Sequence, residues 1–96
     1  MLVVVAYDVN TETAAGRRRL RRVALACQAF GQRVQYSVFE CLVNEADYVR
    51  LQQRLRKEMD NERDSVRLYV LDEPSRRMTK HFGAGKPRDL EKPLVI

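Results

Sequence analysis

Residues 2–6, LVVVA, form an unbroken apolar run that passes through Tyr7 into Asp8. A Val-rich run without alternation predicts a strand over 2–8 that is covered on both faces. Asn10, Thr11 and Thr13 then supply turn and N-cap chemistry. The apolar positions Leu20, Val23, Ala24, Cys27 and Phe30 fall at the spacing of one helical face, so a helix is expected to about Phe30, with Gly31 as its stop. Residues 33–43, RVQYSVFECLV, are β-prone throughout. Val34, Tyr36 and Val38 alternate with Arg33, Gln35 and Ser37, and after Phe39 the alternation blurs. No Gly, Pro or Asn marks a turn there, so propensity alone gives one long strand, while a bend near Ser37 would give two. Asn44 can cap a second helix, with Glu45 and Asp47 in its first turn and Tyr48, Leu51, Leu55 and Met59 as its core stripe. The segment DNERD (60–64) ends it. Residues 65–71 alternate again, with Val66, Leu68 and Val70 on one face and Arg67, Tyr69 and Leu71 on the other. From Asp72 the texture changes: all three prolines and two of the four glycines lie in the last 25 residues. That composition predicts an extended tail rather than a packed helix. Its apolar end, residues 94–96, reads as a strand added to a sheet edge, the chain's own or a partner's.

The pattern is therefore strand, helix, one or two strands, helix, strand, an α+β domain over 1–71 followed by a tail over 72–96. If 33–43 is a hairpin, the order is βαββαβ, the ferredoxin-like arrangement. Right-handed crossovers then place both helices on one face of a four-stranded antiparallel sheet, with the first strand central. The other face needs a cover, and a second copy packed sheet against sheet is the simplest one.

Length allows one domain, and no apolar run approaches a membrane span. The start lacks signal-peptide features, which points to the cytoplasm. Cys27 and Cys41 read as buried free thiols; two thiols and one distant histidine make no zinc site. The net charge of +5 is concentrated: residues 11–22 hold Arg17, Arg18, Arg19, Arg21 and Arg22 against Glu12. Arginine outnumbers lysine 14 to 4. Its planar fork suits phosphate oxygens, so a phosphate-bearing polymer is the expected partner. At 100° per residue, Arg18, Arg21 and Arg22 project opposite the apolar stripe and Arg17 and Arg19 flank it. Leu25 falls on the polar side.

Asp8 ends the central strand beside this basic helix. It can serve as a turn or cap residue, or as a ligand for Mg²⁺, which uses one or two carboxylates plus waters. No second acid lies nearby in sequence, and no His/Asp pair, Cys/His pair or glycine-rich phosphate loop accompanies it. A nuclease site within one subunit is thus poorly supported. A two-fold dimer would bring two copies of Asp8 together, with Arg17 and Arg19 as counter-charges. Glu40 is expected to pair with an arginine and His81 to lie in the tail; neither is a catalytic candidate.

These segments resemble the CRISPR-associated protein 2 family. The resemblance rests on VVVAYDVN (3–10), GRRRLRRV (16–23), GQRVQYSVFEC (31–41) and DSVRLYVL (64–71), with HFGAGKP and KPLVI within 81–96 similar to the tail of one subgroup. The resemblance implies a ferredoxin-like fold with a hairpin turning near Ser37 and a homodimer with C-terminal strands crossing between sheets. It implies assembly with the CRISPR-associated protein 1 integrase on duplex DNA during spacer acquisition. It also implies metal-dependent endonuclease activity on single-stranded RNA or duplex DNA, with Asp8 as the Mg²⁺ ligand preceded by Tyr7. The family's basic positions fall on Arg17 and Arg19, the arginine opening its hairpin on Arg33, and its aromatic on Phe39. A duplex-binding scaffold without catalysis is the alternative.

Overall fold

The computed structural model describes residues 1–71 and 80–83. The elements run β1 (Leu2–Asp8), α1 (Ala14–Gln28), β2 (Gly31–Gln35), β3 (Val38–Leu42), α2 (Glu45–Glu58) and β4 (Ser65–Leu71). The sheet order is β2-β3-β1-β4 and every pairing is antiparallel. This is the ferredoxin-like arrangement with β1 central. The tail over 72–96, and the strand expected at its end, lie outside the described residues except for 80–83, which are exposed.

Alternation along β1 sorts its side chains. Val3, Val5 and Tyr7 join the core with Val23, Cys27, Phe39, Cys41, Leu51 and Leu55, beneath the two helices. Leu2, Val4, Ala6 and Asp8 point to the opposite face. Exposure there grows along the strand: Leu2 is buried, Val4 and Ala6 are half-buried and Asp8 is exposed. On that face Tyr69 pairs beside Val4, and Arg67 beside Ala6.

The region 33–43 is a hairpin. Its turn at Tyr36 and Ser37 uses no positive-φ residue, so it needs no glycine or asparagine, and a register shift between Arg33 and Gln35 absorbs the strand twist instead. The alternating apolar positions of this stretch do not form a core face in β2. Arg33 pairs opposite Phe39 and covers its ring, while Val34 and Tyr36 are exposed.

Helix α1 stops at Gln28, two residues before the expected end. Ala29 closes it in a right-handed conformation, its N–H donating to the Leu25 carbonyl at 3.1 Å while the Phe30 N–H donates to the Cys27 carbonyl at 3.0 Å. Gly31 is not the helix stop. It opens β2, where a Cβ would collide with the Glu40 carbonyl and the Cys41 side chain. Asn44 caps α2 as expected, accepting the Asp47 N–H at 2.8 Å. Val66 and Leu68 pack on the core, but Val70 stands half exposed beyond it.

Candidate nucleic-acid interface

Helix α1 presents the basic surface, and its start is fixed by short-range contacts. Thr13 Oγ1 accepts the Gly16 N–H at 3.0 Å. Gly16 is buried against the loop after β1, and any side chain there would strike the Asn10 carbonyl. Arg17 bends back, its Nη1 donating to the Thr11 carbonyl at 3.2 Å. Arg18, Arg21 and Arg22 are exposed and make no ion pair among the described residues. Their charges are therefore uncompensated within the described part of the chain and available to a polyanion.

Arg19 does not turn toward Asp8. Its Nε donates to Asp64 Oδ2 at 2.9 Å, with its side chain 15% exposed and that of Asp64 fully buried. Asp64 also accepts the Asn10 N–H at 3.1 Å and the Asp60 N–H at 2.8 Å. Burial works against ionising this carboxyl. The Arg19 hydrogen bond and the two backbone N–H groups outweigh that effect and hold it below the usual carboxylate range. Asp64 thus ties the loop after Asp8, helix α1 and the turn before β4 into one unit. Within DNERD it carries no mark that distinguishes it from Asp60; only the fold reveals its partners.

Asp8 sits at the C-terminal end of β1, paired with Ser65 across the sheet. Its carboxylate has no hydrogen-bond or ion-pair partner among the described residues. Those residues also contain no cluster of three or more His, Cys, Asp or Glu side chains suited to a metal ion. One chain, over its described residues, therefore offers a single carboxylate and does not by itself make a metal site. Glu40, expected to pair with an arginine, forms no ion pair among the described residues.

Tyr7, Phe39 and Arg33 come together, but on the helix-covered face, opposite Asp8. The Tyr7 and Phe39 rings stack with centroids 6.1 Å apart and planes at 26°. The Arg33 guanidinium lies 5.2 Å from the Phe39 ring centroid. Burial raises the Tyr7 hydroxyl above its ordinary pKa, and Arg33 offsets only part of that effect. Both cysteines are free and buried, and burial pushes each thiol up to about 12.

The sequence model described as "CRISPR associated protein Cas2" matches residues 1–79, which contain all of these positions. The chain belongs to the CRISPR-associated Cas2 family. It is 56% identical over 96 residues to the "CRISPR-associated endoribonuclease Cas2" of Chlorobaculum tepidum, covering the whole of both chains. It is 46% identical over 96 residues to the "CRISPR-associated endonuclease Cas2" of Halalkalibacterium halodurans, again over the whole of both chains. Its fold superposes on the crystal structure of Streptococcus pyogenes Cas2 at pH 6.5 with a TM-score of 0.77 and 51% identity, covering 86% of this chain and 100% of that one. No helix among the described residues is long and apolar enough to cross a membrane. In this Cas2-family chain the basic helix, the hairpin turn and Asp8 all lie at the end of the sheet where β1 finishes. Tyr7 marks the junction, since its N–H donates to the Ser37 carbonyl at 3.0 Å.

Proposed function

We propose that this chain acts in the cytoplasm as a homodimer that binds nucleic acid through its phosphates during CRISPR spacer acquisition, alongside the CRISPR-associated protein 1 integrase. We further propose that it hydrolyses phosphodiester bonds in a Mg²⁺-dependent manner, on single-stranded RNA or duplex DNA. The observation that carries the catalytic part is Asp8: exposed, without a partner among the described residues, on the sheet face opposite the helices. Two copies packed face to face would supply two such carboxylates, the number Mg²⁺ commonly takes from protein. An ion held between them would neutralise phosphodiester charge and activate water. Arg18, Arg21 and Arg22 would hold the backbone without reading bases, so binding should weaken steeply as salt rises. The names of the relatives, endoribonuclease for one and endonuclease for another, support a nucleic-acid substrate without fixing which. The lone carboxylate per chain favours a second reading, a duplex-binding scaffold with no catalysis.

Asp8→Asn separates the two. End-labelled single-stranded RNA and duplex DNA are incubated with wild-type and variant dimers, in Mg²⁺ and in EDTA. The nuclease reading expects cleavage only by wild type with Mg²⁺, and duplex binding by the variant equal to or tighter than wild type. Cleavage that persists in rigorously purified Asp8→Asn removes Asp8 as the ligand. Bound but uncut duplex in every lane leaves the scaffold.

A further inference from the structure

The hairpin between β2 and β3 ends in Tyr36, whose side chain is the most exposed large apolar group of the β-sheet domain, at 85%. Such exposure usually accompanies a loosely held side chain, yet here the backbone is pinned. The Tyr36 carbonyl accepts the Tyr7 hydroxyl at 3.5 Å, and the next carbonyl, that of Ser37, accepts the Tyr7 N–H at 3.0 Å. The ring has a neighbour as well. The Arg33 guanidinium carbon lies 5.8 Å from the Tyr36 centroid and 5.2 Å from that of Phe39. Phe39 in turn stacks on Tyr7 in the core. The result is a column that starts in the buried core with Tyr7 and Phe39, passes through a guanidinium, and ends in a ring in water.

A guanidinium held against an aromatic face is partly desolvated and keeps its N–H edges for an anion. An aromatic ring with one side on a cation keeps the other side for stacking. A phosphate beside a flat π-surface is the chemistry of a nucleotide. Within a duplex both faces of every interior base are already covered by neighbouring pairs, and only the two end pairs leave a face open, so an unpaired base uses such a ring far more readily than a paired one. The hairpin turn also lies at the end of the sheet where β1 delivers Asp8.

We propose that Tyr36 is a stacking platform for an unpaired nucleobase, with Arg33 taking a phosphate of the same strand. This rests on the reading of the chain as a nucleic-acid binder. It adds a preference, for a single-stranded segment or an unpaired end over continuous duplex, set by the hairpin rather than by the arginine helix.

The test is fluorescence anisotropy with the full chain, using a labelled single-stranded RNA of about twelve nucleotides and a blunt duplex of the same sequence. Tyr36→Ala should weaken single-strand binding about ten-fold, the scale of one base–aromatic stack, and leave the duplex unchanged. Tyr36→Phe should match wild type on both. A strand carrying 2-aminopurine should lose fluorescence on binding wild type or Tyr36→Phe, and keep it with Tyr36→Ala. Single-strand affinity that survives in Tyr36→Ala overturns the proposal, as does an equal loss on both probes. Wild type that binds duplex but not single strand also overturns it and leaves nucleic-acid binding standing. Wild type that binds neither probe removes both.

Discussion

Replacing Asp64 by alanine removes the acceptor on which donors of three residues converge: Arg19 Nε at 2.9 Å and Nη2 at 3.4 Å, the Asp60 N–H at 2.8 Å and the Asn10 N–H at 3.1 Å. The Asp64 side chain is fully buried, so water does not already share these bonds. A hydrogen bond to a charged group contributes about 1.5–3 kcal/mol net, and the loops holding two of the donors can partly turn them to solvent, so a total near 3 kcal/mol is expected. For a domain of this size that corresponds to a fall in Tm of about 12–24 °C. Asp64→Asn keeps the shape and one acceptor oxygen, and should lose about half as much. Acid adds a signature that simple packing would not give. The folded carboxyl titrates below its unfolded value, so its contribution is complete above the unfolded pKa, about 3.9, and disappears as pH falls through the lower folded pKa. The gap in Tm between wild type and Asp64→Asn should therefore be constant near neutrality and close in acid, below about pH 4. Thermal melts followed by circular dichroism, at one protein concentration because the Tm of any self-associating chain depends on it, measure both. A drop under about 4 °C for Asp64→Ala at pH 7, close to 1 kcal/mol or less, would refute the claim that this carboxylate organises the loop. A gap that does not change with pH would refute the part assigned to its charge.

Replacing Arg18, Arg21 and Arg22 together by alanine should weaken duplex binding at low salt and flatten the plot of log affinity against log salt by up to about 0.9 for each phosphate no longer neutralised, while leaving Tm nearly unchanged because all three are exposed. Unchanged affinity would remove α1 from the interface. Gly16→Ala forces a methyl group into the Asn10 carbonyl and should cost about 1–3 kcal/mol, read as a lower urea midpoint with an unchanged slope. Both thiols, with pKa values pushed up to about 12, should resist a thiol-reactive disulfide reagent at pH 8 in the native protein and react fully in urea.

Elements with strong local signals are legible in the chain itself. The apolar run of β1, the Asn44 cap of α2 and the alternation in 65–71 each specify their element through neighbouring residues alone. The hairpin is not legible in this way, because its turn uses ordinary backbone conformations and a bulge at Arg33 and Gln35, neither of which leaves a residue signature. Nor does the alternation of Val34 and Tyr36 with Arg33 and Gln35 reveal which set is buried: Arg33 pairs with core Phe39 while Val34 and Tyr36 are exposed. Of the candidate site, the exposed arginines and Asp8 can be placed from periodicity and strand position. The partner of Arg19 cannot, since Asp64 lies 45 residues away and meets it only through tertiary contact. Strand alternation alone sets Tyr7 and Asp8 on opposite faces of the sheet, but only the fold shows which of them lies beneath the helices and that Phe39 and Arg33 join Tyr7 there.

The strand order carries a consequence for how the chain is made. β1 leaves the ribosome before both strands it pairs with, β3 on one side and β4 on the other, so its second neighbour arrives only once Ser65 and the residues after it have been synthesised. Until then one whole edge of the most apolar strand presents open N–H and C=O groups, which any other extended chain can occupy. Nascent or prematurely terminated chains ending before residue 65 therefore keep an open edge on β1 and are prone to aggregate, while chains that include 65–71 are not.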